Sequence, residues 1–312
     1  MEIGFMVEPQ IGGTYADLLR LARWAEAQGF DSFARSDHYL DRDRSVDATD
    51  ALTTLGGLAV ETDRIRLTVL VSPVTFRHPG IVAKIAATLA EMSGDRFELG
   101  LGTGWMESEH DAFGLELPEI GTRFDRFEES LGYLWAAFGR SAGGYQGEHY
   151  RLADIDVLPR VGGRVPIIIG GKGPRRTPSL AGRFADEYNM FTTDKDTFGN
   201  RRDTMRAAAV EAGRDPDRIA LSMVMTPLVG DDAAEYRDRL GDAAAALDVT
   251  PDALEDDLAA RHVPHGTPDR VAESVAEIIS WGVGRIYLQQ FDSLTEIDLD
   301  RQARTHRLLR GI

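Results

Sequence analysis

The sequence predicts a (β/α)8 TIM barrel built as a single domain from residues 1–312. Three observations lead there. Eight short apolar runs with β-strand character recur along the chain, mostly separated by longer segments of helical periodicity. No break in composition divides them, so the repeated βα units belong to one parallel domain whose crossovers share a hand. The third run is apolar on both faces, as in a parallel sheet covered on both sides.

The elements follow in order. Ile3–Val7 is the first strand and Tyr15–Gln28 an amphipathic helix. Leu18, Leu19, Leu21, Ala22 and Ala25 form its apolar face, Asp17, Arg20 and Glu26 turn outward, and Gly29 is placed to end it. Asp31–Ser36 is the second strand, Ala48–Glu61 a helix, and Ile65–Val74 the third strand. A helix at Ile81–Met92 leads to a strand at Arg96–Leu101, which runs into Gly102-Thr103-Gly104. After a helix at Arg123–Phe138 comes an irregular excursion, Gly143–Leu158. Strands at Val165–Ile169, Glu187–Phe191, Ile219–Val229 and Arg285–Gln289 complete the eight. Their helices are Thr177–Phe184, Phe198–Ala212, Arg270–Trp281 and Leu299–Leu309, and Asp231–His265 reads as a second irregular insertion at the C-terminal face.

A doubly wound sheet is the rival, and its dinucleotide fingerprint is G-x-G-x-x-G after the first strand. The near match here, Gly100 to Trp105, follows the fourth strand and places tryptophan at the third glycine position. Gly170-Gly171-Lys172-Gly173 lacks the spacing and the Lys-Ser/Thr end of a P-loop.

Composition narrows the function. The net charge of −16 repels phosphodiester backbones and anionic lipid, which speaks against nucleic-acid or membrane partners. Without cysteine there is no disulfide, thiolate metal site or cysteine nucleophile. The start MEIGFMVEP has no basic region and enters a strand pattern directly, and no apolar stretch approaches the roughly 20 residues of a membrane span. A cytoplasmic protein is the expectation.

In such a barrel the active site forms at the C-terminal ends of the strands. Those ends read Ser36-Asp37-His38-Tyr39, Ser72-Pro73, Thr103-Gly104-Trp105-Met106 and Gly170-Gly171-Lys172-Gly173. A histidine at the mouth exchanges a proton near neutral pH, and an adjacent carboxylate orients it. Taken alone, Asp37-His38 fits a loop-capping aspartate beside an incidental histidine better. A metal site is not expected, because the closely spaced His262 and His265 have Pro264 between them. Gly170–Gly173 opens a helix carrying Arg175 and Arg176, where glycines and a helix N-terminus suit an anion; a plain βα turn with a basic end is the other reading. Trp105 and Met106 are either rim core or the wall of a flat substrate pocket, and spacing does not choose.

Taken together these residues resemble the luciferase-like flavin and deazaflavin oxidoreductases, specifically their F420-dependent branch. The matches are Ser36-Asp37-His38, Ser72-Pro73 with Phe76-Arg77-His78-Pro79, Arg96 through Trp105, Pro166–Gly171 with Ala181–Asp186, and Gly266-Thr267-Pro268 through Tyr287-Leu288-Gln289. They run essentially end to end; each is moderately specific, and their shared order is the stronger signal. The resemblance implies coenzyme F420, with FMN as the alternative, lying in the mouth beside Asp37 and His38, the latter as proton donor or acceptor. It implies a bulge on a non-prolyl cis peptide at Val69-Leu70 behind the ring, with Ser72 near it. Thr103, Gly104, Gly170, Gly171, Lys172, Gly173 and Arg176 match positions around the phosphate tail. Sugar-phosphate dehydrogenases of this group carry glutamate directly after Gly-Thr-Gly; Trp105 stands there here, which disfavours glucose 6-phosphate. The implied activity is hydride transfer between F420 and a small organic substrate. The competing readings are an FMN-dependent two-component monooxygenase and an idle flavin-binding relative. Relatives pair through helices near the second and third strands, which implies a homodimer, and Ala51, Leu55, Leu58 and Ala59 offer an apolar stripe for it.

Overall fold

The computed structural model describes residues 1–41, 47–159 and 165–312. Eight parallel strands close into a barrel: β1 (Glu2–Val7), β2 (Ser32–Arg35), β3 (Arg66–Pro73), β4 (Phe97–Gly102), β5 (Ile167–Gly170), β6 (Glu187–Phe191), β7 (Ala220–Met225) and β8 (Arg285–Gln290). Each pairs with its neighbours in chain order, and β8 returns to β1 with Glu2 opposite Arg285 and Val7 opposite Gln290. The surrounding helices are α1 (Tyr15–Gln28), α2 (Ala51–Glu61), α3 (Pro79–Ser93), α4 (Glu107–Phe113), α5 (Ile120–Ala137), α6 (Arg176–Phe184), α7 (Lys195–Glu211), α8 (Ala233–Ala246), α9 (Pro251–Ala260), α10 (Pro268–Ser280) and α11 (Leu299–Arg310).

Local chemistry explains the helix ends. Thr14 and Asp17 form a reciprocal capping box before α1, and Gly29 closes it in the left-handed region at φ 84°. Asp50 caps α2 through the N–H of Thr53, so that helix begins three residues later than the periodicity predicts. Two segments differ in kind. Asp231–His265 is largely helical: Asp232 and Thr250 cap α8 and α9, Pro251 opens the second, and alanines fill the first. The pair encloses a small core of its own from Tyr236, Leu240, Ala244, Leu254, Leu258 and Val263. The predicted strand Ile219–Val229 stops at Met225, because Pro227 has no N–H to continue the ladder. Leu228–Val229 pairs instead with His265–Gly266. The Gly143–Leu158 excursion carries a short hairpin, Tyr145–Gln146 against Arg151–Leu152.

Inside the barrel, inward-facing side chains stack in layers. The lowest is ionic. Arg285 donates to both oxygens of Glu98 and to Glu187 at 2.9 Å each, and to Glu2 at 2.8 Å. The middle layer is Met6, Ala34, Leu70, Ile168, Val224 and Tyr287. The upper layer is polar: buried Glu8 accepts from Gln10 at 2.6 Å and from Gln289 at 2.5 Å, and Ser36 donates to Gln10 at 2.8 Å. This layering puts the ionic tie at the N-terminal end of the barrel and polar side chains toward the C-terminal face.

One surface expectation is overturned. Ala51, Leu55, Leu58 and Ala59 are buried in the main core, because they form the face of α2 that packs on the barrel. The apolar residues that point outward nearby are Val60, Ile81 and Met92. Among the described residues no helix is long and apolar enough to cross a membrane.

Candidate active site

The floor of the mouth is built by an irregularity in β3. Val69 pairs with Leu99 and Ser72 with Leu101, so β3 spends one residue more than β4 over the same stretch, a bulge. The non-prolyl cis peptide is Leu70-Val71, one residue beyond the expected Val69-Leu70. Val69 is buried between barrel and helices and Leu70 is buried inside the barrel, so neither presents its side chain at the mouth. The bulge presents Val71, which stays partly exposed. Its methyls sit where three glycines make room. A Cβ on Gly102 would come within 2.8 Å of Val71 Cγ2, and one on Gly100 or Gly170 within 3.0 Å of Cγ1. The Gly100-Leu101-Gly102 spacing therefore serves a side-chain platform rather than a pyrophosphate.

Beside the platform stands His38, just past the end of β2. Its Nδ1 lies 3.0 Å from Glu109 Oε2 on α4. The other oxygen of Glu109 accepts the N–H of Tyr39 in a short contact and that of Leu40 at 3.3 Å. The buried carboxylate thus grips both the ring and the backbone of the two residues after it, leaving Nε2 without a hydrogen bond among the described residues. Burial by itself would lower the pKa of His38. The Glu109 hydrogen bond and the charges of Glu109, Glu8 and Asp37 outweigh it, and the imidazole is held above the ordinary histidine value.

The expected orienting partner was Asp37. It is 1% exposed and turned the other way, accepting from Ser72 Oγ at 2.7 Å and Arg77 Nη1 at 2.5 Å. Arg77 also donates to Tyr39 Oη at 2.7 Å and pairs with Asp50. Asp37 and Ser72, expected against a cofactor, are thus sealed beneath the mouth, where they brace the end of β3 under the His38 loop. Glu109, Val71 and Arg77 are the residues that sequence reasoning left without these roles. Arg77 stood inside a matched motif, whereas Glu109 and Val71 become visible only when α4 and the bulge are placed.

On the far side of the platform, Thr103 is partly exposed and Gly104, at φ 79°, gives its carbonyl to Arg123 Nη1 at 2.6 Å. Gly170 is buried under Val71, and Gly171 adopts φ 151°. A Cβ on Gly173 would lie 2.5 Å from Thr177 Oγ1, so only glycine lets the chain pass this close to the start of α6. Lys172 is exposed, its Nζ 4.8 Å from the centre of the Phe191 ring. Arg176 turns away to α5, with Nη2 2.6 Å from Asp125 and 3.8 Å from Glu128. Its charge is already matched, which weakens its expected part at a phosphate tail. Met106 is buried, its carbonyl bound by His110 Nδ1 at 2.7 Å, so Trp105 alone of the two expected pocket residues is exposed.

A rigid apolar surface next to a proton-bearing imidazole, ringed by glycine turns at the open end of a parallel barrel, suits a planar ligand and defines a (β/α)8-barrel enzyme site. The chain belongs to the luciferase-like monooxygenase family, whose family model matches residues 1–285. It is 38% identical over 182 residues to an F420-dependent glucose-6-phosphate dehydrogenase of Microbacterium testaceum (strain StLB037), covering 58% of this chain and 53% of the relative. A protein of the same description from Nakamurella multipartita is 36% identical over 217 residues, 67% of this chain and 62% of the relative. The matches thus span a little over half of these curated relatives. Among solved structures, the monooxygenase RslO1 from Streptomyces bottropensis superposes with a TM-score of 0.80 at 24% identity, covering 100% of this chain and 98% of that one. That likeness is one of fold.

Proposed function

We propose that the protein is an F420-dependent oxidoreductase that moves a hydride between coenzyme F420 and a small organic substrate. The observation that carries this reading is the Val71 platform seated on Gly100, Gly102 and Gly170 beside the His38–Glu109 pair. The group fits the residues present. Val71 offers a flat apolar support for a ring, and the Gly171–Gly173 turn with exposed Lys172 suits an anionic tail at the start of a helix. Bound there, the coenzyme supplies the hydride chemistry. The protein orients the substrate over the platform and manages the proton. His38, kept protonated to a higher pH than a free histidine, gives or takes it at Nε2, while Glu109 holds Nδ1 and fixes the ring.

The curated relatives above carry F420 in their descriptions, and this favours it over FMN. The test is fluorescence titration of the protein with each cofactor, followed by oxygen consumption. F420 binding that weakens when Lys172 is replaced by alanine supports the reading. Preferential FMN binding with oxygen uptake overturns it in favour of a monooxygenase. A homodimer working in the cytoplasm belongs to the same proposal, paired through the outer faces of α2 and α3, where Val60, Ile81 and Met92 are exposed. Sedimentation at micromolar concentration checks it, and a monomer there defeats it.

A further inference from the structure

We infer that the groove between α11 and the start of α10 is an anion site that takes a phosphate dianion, free or esterified. It shares no residue with the mouth and does not depend on which cofactor the mouth holds.

A cavity of about 260 Å³ opens there, lined by Val229, Asp231, Arg301, Arg304, Thr305 and Arg307. Three of its four charged side chains are arginines, in a chain where acids outnumber bases by 51 to 35. Helical spacing gathers them, since residues three and four apart on α11 stand side by side. The opposite wall is fixed by backbone. Val229 pairs with Gly266, and the Gly230 N–H donates to the Gly266 carbonyl at 3.1 Å. A Cβ on Gly230 would meet the Tyr236 nitrogen at 2.2 Å, so only glycine lets this wall lie against α8. Pro268, the first residue of α10, completes the lining, and the N-cap Thr267 makes no side-chain bond to that helix start. Asp269 is the acid of its first turn.

The arginines are loosely committed. Arg307 is exposed and has no ion pair among the described residues. Arg301 meets Asp298 and Asp292 only at 3.7 and 3.9 Å. Arg304 Nε lies 3.3 Å from Asp231, but both side chains are exposed, so that pair contributes little. Arg239 donates to the Val229 carbonyl in a short contact and has no ion pair among the described residues. Burial and the charges of Arg301 and Arg304 draw its guanidinium below the ordinary arginine value, against the opposing pull of Glu235 and Asp298. Like charges gathered this closely repel, and an anion between them relieves the repulsion. Thr305 is an independent sign. It is 6% exposed, it lines the cavity, and its hydroxyl makes no hydrogen bond among the described residues. Guanidinium forks beside a hydroxyl donor match the oxygens of a phosphate, and the cavity is the size of such a group rather than of a whole cofactor.

Titration calorimetry of the full chain with inorganic phosphate, at an ionic strength held constant with sodium chloride, tests this. A second arm titrates glycerol 3-phosphate. The expected result is saturable phosphate binding that persists in Lys172→Ala, because the mouth is not involved. The double variant Arg304→Gln/Arg307→Gln, at two exposed positions, should weaken it by about tenfold or more. Thr305→Val should weaken it severalfold, and melting temperatures without phosphate show which variants are folded. Tighter binding of glycerol 3-phosphate assigns the site to an esterified phosphate, and equal or weaker binding assigns it to the free ion. Phosphate binding that ignores the arginine double variant overturns the inference. So does binding that is lost in Lys172→Ala, or the absence of saturable binding.

Discussion

At the scale of single residues, the proposed chemistry rests on His38, whose imidazole is held by a carboxylate 71 positions away in the chain. His38→Ala should lower turnover by roughly a hundredfold or more, the usual scale of general acid catalysis, while changing cofactor affinity far less. Measuring kcat and cofactor Kd on the variant separates proton transfer from packing; near-normal kcat would end the catalytic role. Glu109 has a distinct signature. His38 is held above its ordinary pKa, so activity that needs the protonated ring persists below that raised value and is lost as pH rises through it. Glu109→Gln removes the carboxylate's contribution while burial still acts to lower the pKa, so the alkaline limb of the pH–rate profile should move to lower pH. An unmoved limb would mean that Glu109 acts only on the backbone of Tyr39 and Leu40. The place of His38, just past the end of the second strand, was legible in the sequence. Its partner was not, because the adjacent Asp37 is the obvious candidate on sequence distance. In three dimensions Arg77 and Ser72 claim Asp37 first, since a guanidinium keeps its charge and donates from two nitrogens where an imidazole would donate from one.

At the scale of elements, the β3 bulge and the glycines of β4 and β5 act as one unit. A Cβ at position 102 would press on the flexible methyl of Val71, whereas one at position 100 would meet the Val69 carbonyl at 2.1 Å. Gly102→Ala should therefore leave a folded protein, at about 1–3 kcal/mol of overpacking, but tilt the platform and weaken F420 binding. Gly100→Ala should cost more stability, because a backbone atom cannot step aside. Thermal melts and fluorescence titrations of the pair check the ordering; equal effects would remove the platform argument. The elements read most accurately were those with local punctuation. The span of α1 matches its capping box and terminal glycine, and β6 matches its apolar run. The stretch later occupied by α8 and α9 looked irregular because these helices pack mainly on each other, and their polar, acidic surface masks a narrow apolar stripe.

At the scale of the whole molecule, the two ends of the barrel divide the labour. The lower end is tied by Arg285 to Glu98, Glu187 and Glu2, joining four strands through one side chain. Arg285→Met would leave buried carboxylates facing one another without their cation, a loss of about 3–5 kcal/mol. Burial already raises the pKa of Glu187, with Arg285 opposing that rise. Without Arg285 the pKa of Glu187 climbs further, so the variant should be least impaired at low pH and lose stability as pH rises through that raised value. Denaturant unfolding across a pH series checks this, and a pH-independent loss would count against it. Catalysis at the upper end should survive at temperatures where the variant stays folded.

The sequence by itself determined the barrel, the order of its strands and the four polar or glycine-rich strand ends at its C-terminal face, because these follow from short-range periodicity and turn chemistry. It also carried the resemblance that points to the cofactor class. Only the tertiary structure decided which residues at those ends are exposed and which are consumed. Val71 rather than Val69 meets the mouth, Glu109 rather than Asp37 holds His38, Arg176 is neutralised by α5, and the α2 stripe packs inward. Each outcome is a competition between partners brought together by the closing of the barrel. Separation along the chain carries no information about which hydrogen bond or ion pair lies lowest once those partners meet in a space that excludes water.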